Sequence, residues 1–188
     1  MRVSRSAEEF IEVHSPKGEI DMDLKELFLA QLEREAAAAR KAVERVPEGR
    51  NDWKPHAKSM ELGRLATLVA TMPGWVVLMV ERDELNLGDP SSEEFKTKAV
   101  ATKAELLKAL EESVAKARKA LQGTTEEHLM KPWRLLMRGR VLQEQPRHVM
   151  LTDTFCHLAH HRGQLTVYLR MNDASVSAIY GPSADEQF

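Results

Sequence analysis

The chain has 188 residues, 43% apolar and 30% charged, with a formal net charge of −2. That composition excludes wholesale disorder, and the near balance of charge gives no bulk electrostatic case for nucleic acid or an anionic membrane. The single cysteine excludes an internal disulfide and suits a reducing cytoplasm. The length fits one domain with a core large enough to need no staples. The longest clear apolar run, residues 75–80, is far short of the ~18 residues of a membrane span, and residues 1–6 lack the apolar centre of a signal peptide. The expectation is a soluble, cytoplasmic, single-domain protein.

Glycine and proline are scarce and clustered, and the stretches between them are rich in Ala, Leu, Glu, Lys and Arg, a helical composition. Residues 1–19 read as an extension ending in Ser15-Pro16-Lys17-Gly18, and residues 20–188 as the folded domain. From Asp21 to about Arg45 the positions Leu24, Leu27, Phe28, Leu32 and Ala36 recur at helical spacing, until Val46-Pro47-Glu48-Gly49 stops them. Asn51 to Lys58 is a loop. Ser59 suits the N-cap of a second helix, whose stripe holds Leu62, Leu65, Val69, Met72, Val76 and Met79. Pro73 falls inside that stripe and should kink the helix without ending it, because the pattern resumes beyond it. Leu87-Gly88-Asp89-Pro90 closes the segment.

A third helix is expected over about 102–121, carrying Leu106, Leu107, Leu110, Val114 and Ala117, with Gly123 at its end. The stretch 124–146 does not look helical, and Arg138-Gly139-Arg140 could turn a short hairpin between residues 133–137 and 141–143. The last helix covers about 147–171, on the stripe Leu151, Phe155, Leu158, Leu165 and Leu169. Four amphipathic helices with one long connection predict an all-α four-helix bundle.

Three of the seven histidines lie close together, at His157, His160 and His161. On a helix, His157 and His161 share a face with their Cβ atoms ~5–6 Å apart, a spacing that lets two neutral imidazoles bind one divalent metal. The alternative for that pair is a polar patch at the bundle edge. Asp153 precedes His157 by one turn and could accept its second ring N–H, or simply complement the helix dipole. His160 should face solvent or a partner. Cys156 next to Phe155 reads as a small core residue, although His160 one turn on could activate a thiol.

The run His157-Leu158-Ala159-His160-His161-Arg162-Gly163-Gln164 resembles the final core helix of the DinB/YfiT-like (damage-inducible DinB) superfamily. The resemblance continues through Ser59-Met60-Glu61-Leu62-Gly63, Met72-Pro73-Gly74-Trp75, Pro132-Trp133, Pro146-Arg147 and Tyr180-Gly181-Pro182-Ser183-Ala184-Asp185-Glu186. It implies an up-down-down-up four-helix bundle, commonly a homodimer, with a divalent transition metal such as zinc or nickel on three histidines. Two of these correspond to His157 and His161. The third follows a Leu-Ala-x-His pattern on the second helix, and here Leu65-Ala66-Thr67-Leu68 puts a leucine in its place. His14, His56, His128 and His148 do not fall where that motif would put the missing ring.

Two expectations follow from the resemblance and its departure. One is a metal-dependent enzyme of the thiol S-transferase or hydrolase-like kind with an incomplete three-histidine site, taking a small molecule or thiol in an interhelical cleft. The other is a non-catalytic dimeric small-molecule-binding or stress-response protein that has lost the metal. Neither involves nucleic acid or a membrane.

Overall fold

The computed structural model describes residues 23–89, 99–100 and 102–187; the expected extension over 1–19, His14 within it and Pro90 lie outside them. Helix α1 spans Leu24–Val43, and its first turn is capped by Asp23, whose carboxylate accepts the Lys25 N–H at 2.8 Å. Helix α2 spans Leu62–Thr71 and starts later than a Ser59 cap would place it. No side chain caps it. The preceding loop does so with backbone, since Leu62 N donates to Trp53 O and Gly63 N to Asn51 O. Gly63 is needed for that approach, because a Cβ there would lie 2.9 Å from the Asn51 Cβ.

Pro73 acts as expected. A single 3₁₀ turn, Met72–Gly74, separates α2 from α3 (Trp75–Glu81), and the two form one bent rod. The stretch Leu62–Glu81 is long and apolar enough to cross a membrane by length and composition, a longer run than residues 75–80 suggested. However, 67% of its apolar window is buried inside the protein, so the bundle core accounts for it.

Helix α4 (Lys103–Gly123) opens with a complete capping box between Thr102 and Glu105. A short helix α5 (Glu126–Met130) follows, capped by Thr125, where no helix was expected; five residues are too few to show a periodic stripe. Helix α6 (Arg147–Met171) matches its expected range, and all five residues of the expected stripe are buried.

The expectation of a purely helical bundle needs correcting. Strands β1 (Glu84–Leu87), β2 (Pro132–Met137) and β3 (Arg140–Pro146) form a three-stranded sheet, with β1 parallel to β2 and β2 antiparallel to β3. The β2–β3 hairpin is the anticipated one. Arg138 and Gly139 have φ of 49° and 80°, the two left-handed positions of a tight two-residue turn. Strand β1, by contrast, is part of the segment expected to close the second helix. Its partner β2 lies far along the chain, so local pattern could not reveal the pairing.

Side-chain contacts give the helix directions. Phe28 stacks near Phe155 and Glu35 pairs with Arg162, so α1 and α6 run parallel. Arg118–Glu33 and Arg40–Glu111 make α4 antiparallel to α1. Tyr168 reaches Met60 O and His157 meets Trp75, so α2–α3 runs antiparallel to α6. The order is up-down-down-up.

Inside the α1–α6 contact, Glu35 and Arg162 are 2% and 1% exposed and pair at 2.7 Å. Arg162 also donates to Glu35 O at 3.2 Å and to the Tyr180 hydroxyl, which in turn donates to Glu35 Oε2 at 2.7 Å. Burial and the Glu35 hydrogen bond push the Tyr180 phenol above its ordinary pKa, so it stays a neutral donor. Breaking the pair leaves one buried charge without its partner. Arg162→Met should therefore lose about 3–5 kcal/mol in urea unfolding, and replacing both partners with apolar residues should recover much of that loss.

Candidate metal and ligand site

Arg162 turned towards α1 sets the rotation of α6, and the neighbouring face carries His157 and His161. Their Nε2 atoms lie 2.8 Å apart and the rings are 4.6 Å apart, so the i,i+4 pair is in direct contact. His161 Nδ1 lies 2.8 Å from Gln164 Oε1. A carboxamide oxygen accepts only, so His161 carries a proton on Nδ1 and presents Nε2 to His157. With both rings neutral, His157 Nε2–H donates to His161 Nε2. Two extra protons would set two N–H groups against each other, and the bond would be lost.

His157 also meets Trp75 edge-on at 5.5 Å between ring centroids. Partial burial holds its pKa below the ordinary imidazole value, with charge repulsion from His161 and then His160 adding to the effect. His160 is exposed, as expected, with its ring 5.1 Å from that of His161.

Two converging ring nitrogens with a second-shell oxygen on one of them are suitable for a divalent cation. Two nitrogens on one tetrahedral metal stand roughly 3.3 Å apart, so these rings would need to open only slightly. The donor set stops at two, however. Among the described residues no cluster of three or more His, Cys, Asp or Glu side chains could hold a metal ion. The stepwise contacts Tyr168–Met60, His157–Trp75 and Thr154–Met79 bring Leu68 level with His161 and Gln164, half-buried against the core. A three-histidine metal therefore fits two of its positions here and not the third.

The other histidines are engaged elsewhere. His56 Nδ1 accepts the Lys58 N–H at 3.1 Å, His128 Nε2 lies 2.8 Å from Val80 O, and His148 Nδ1 lies 3.3 Å from Leu129 O. Asp153 does not receive the His157 proton; its carboxylate takes a 3.4 Å bond from Gln143 Nε2 on β3. Cys156 is exposed, contrary to its core reading, because the apolar stripe turns away from it towards Phe155 and Leu158.

Beside His157 opens a cleft of about 590 Å³. One wall is the α3 end of the bent rod, with Trp75, Leu78 and Met79, and the other is the inner face of the sheet. Register produces that face: Leu85 pairs with Leu135 and Leu87 with Met137, so their side chains emerge on one side. Trp133 lies on the same face of β2, is 1% exposed, and donates from Nε1 to Leu78 O at 3.1 Å, which joins sheet to rod. Asp153, Thr154 and His157 supply the polar edge from α6. Sequence reasoning singled out His157 but missed the cleft, since five of its apolar residues come from strands. It also left Gln164 without a role, although its position one turn after His161 was the available signal.

The DinB family profile matches residues 21–187, and the chain belongs to that family. Solved structures agree at the level of fold. A DinB-like protein from Bacillus subtilis, YjoA, is 17% identical with a TM-score of 0.60, covering 79% of this chain and 93% of its own. A DinB-like protein from Bacillus cereus is 18% identical with a TM-score of 0.59, covering 80% and 94% respectively. No curated protein matches the chain.

The lowered His157 pKa can be read directly. In an NMR titration its imidazole should protonate below ~6.5, and in His161→Gln the midpoint should move up as the repulsion from His161 is removed. Because the folded-state value is depressed, this ring's contribution to stability is present above ~6.5 and is lost as pH falls through the lower folded value. A His157 midpoint at or above the free imidazole value would contradict the arrangement.

Proposed function

We propose that this DinB-family protein binds a small, largely apolar molecule in the cleft, with His157 as the polar anchor. The observation that carries the reading is the cleft itself: an apolar space of about 590 Å³ lined by two tryptophans, with a few polar groups, Asp153, Thr154 and His157 of α6 and Gln143 of β3, at its edge. Ligand sites of soluble proteins commonly span ~300–1,000 Å³ and pair an apolar lining with a few placed polar groups. The reading includes a cytoplasmic homodimer, supported by exposed Leu27 on α1 and Val167 and Met171 on α6, which supply apolar helix surface. Sedimentation at micromolar concentration checks the dimer.

The neutral dye N-phenyl-1-naphthylamine tests the cleft. It should brighten on binding the parent and quench the cleft tryptophans. Leu135→Arg, which sets a charge on the half-buried sheet face, should abolish the signal with unchanged circular dichroism. Equal dye binding by both proteins would remove the cleft from the reading.

A second reading, a metal-dependent thiol S-transferase or hydrolase-like enzyme, is favoured by one observation: the convergence of the His157 and His161 Nε2 atoms beside Gln164. With Leu68 in the third position, zinc or nickel should bind the parent weakly. Leu68→His should bind at least about tenfold tighter by calorimetric titration at pH 7.5, and weaken as pH falls through the imidazole range near ~6.5. The substitution should cost about 2–4 kcal/mol in chelator through lost burial and a polar ring, partly offset when metal is added. Equal metal affinity in both proteins would show that Leu68 does not stand in the ligand position.

A further inference from the structure

Two ionisable side chains line the cleft, Asp153 and His157, one turn apart on the same face of α6. Asp153 is exposed at the edge of the lining and accepts a long hydrogen bond from the neutral Gln143 amide at 3.4 Å. Among the described residues the lining holds one carboxylate and no Lys or Arg at pH 8, and Arg138 packs against the lining residue Gly88 from outside it. An imidazole is neutral at that pH by its ordinary value of ~6.5.

The surroundings suit a particular kind of head group. Trp75 packs edge-on to His157 and so borders the polar edge, and Trp133 forms part of the floor. Aromatic faces attract ammonium groups and do not attract carboxylates. Buried Met79 and Met150 line the apolar body of the cleft and exposed Met137 its rim, with thioethers that adapt to the shape of a hydrocarbon chain. A carboxylate or phosphate head beside His157 would meet Asp153, and among the described lining residues no Lys or Arg offsets that charge.

We infer that the cleft selects a cationic amphiphile, an amine carried on an apolar body, with Asp153 as the residue that determines this specificity. The inference rests on the cleft being a ligand site, as proposed above, and adds the charge class of the occupant. The ammonium lies against the Asp153 carboxylate and the Trp75 ring, His157 accepts one of its N–H groups, and the apolar body lies between the sheet and the rod.

The test uses three probes of equal length, octylamine, 1-octanol and octanoate, titrated calorimetrically into the full chain at pH 8 and ~0.1 M salt, with tryptophan emission as a second readout. Octylamine should bind about five- to tenfold tighter than octanol, in keeping with one partly screened ion pair, and octanoate weakest of the three. Asp153→Asn should lower octylamine affinity to that of octanol and leave octanol unchanged. The residue is exposed, so folding is not at stake. If octanol and octylamine bind the parent equally, or if Asp153→Asn leaves the preference intact, charge selection is overturned while the cleft stands as a ligand site. If none of the three binds, the cleft reading falls with it.

Discussion

The structure depends on two opposite charges placed where water does not reach. Glu35 and Arg162 lie between α1 and α6, and the Tyr180 hydroxyl bridges them from the C-terminal loop. Such a pair contributes little net stability compared with a well-packed apolar contact, but it is demanding in geometry. A leucine can slide along a neighbouring helix by a fraction of a turn. A guanidinium bonded to a carboxylate, a backbone carbonyl and a phenol cannot. Arg162 thereby fixes both the register and the rotation of α6, and that rotation presents His157 and His161 to the bent rod of α2 and α3. At the other end of α6, Arg147 plays a similar part, donating to Pro132 O, Arg82 O and the Asp83 carboxylate from a position 1% exposed. It ties the start of the helix to the starts of β1 and β2, so the sheet is held against the face that the first arginine sets.

The rod of α2 and α3 stays beside α6 through its 3₁₀ turn, from Met60–Tyr168 to Met79–Thr154. Trp133 fastens α3 through Leu78 O, and β1 leaves from the end of α3 to pair with β2. The cleft is the space between α3, α6 and that sheet. Its apolar lining is not a defect in core packing, because the bundle core beside it is filled by residues such as Leu65, Leu106, Leu151 and Leu158, each 0–1% exposed.

Much of the frame was legible in the sequence for simple reasons. The helices are long enough to show their period, Pro73 interrupts a stripe that resumes, and the third long helix starts within a residue of the expected position. The failures have physical causes too. Ser59 has the chemistry of a cap, but backbone carbonyls of the 51–53 loop reach the same N–H groups first. Strand β1 has four residues and a partner some fifty positions away, and no local pattern records such a pairing. In α6 the stripe was correct but incomplete: Arg147, Thr154 and Arg162 are buried along with the leucines, and Val167 and Met171 are exposed. A reading by residue type places arginine outside, and here the two buried arginines are what position the site.

The histidine pair shows how two imidazoles can be settled without a third ligand. His157 is exposed and His161 half-buried, so their nitrogens need little from the protein to stay satisfied. His157 and His161 bond to each other, and Gln164 takes the remaining proton of His161. The network is complete without a third ring and without a cation, so Leu68 can pack against the core opposite at no polar expense. The same closure makes the pair a competitor for any metal, since an ion must break the Nε2 contact before it gains two ligands. Geometry that looks prearranged for coordination is thus also a self-sufficient resting state. His157 alone of the pair also lines the cleft, so one ring belongs both to the hydrogen-bonded pair and to the cleft's polar edge.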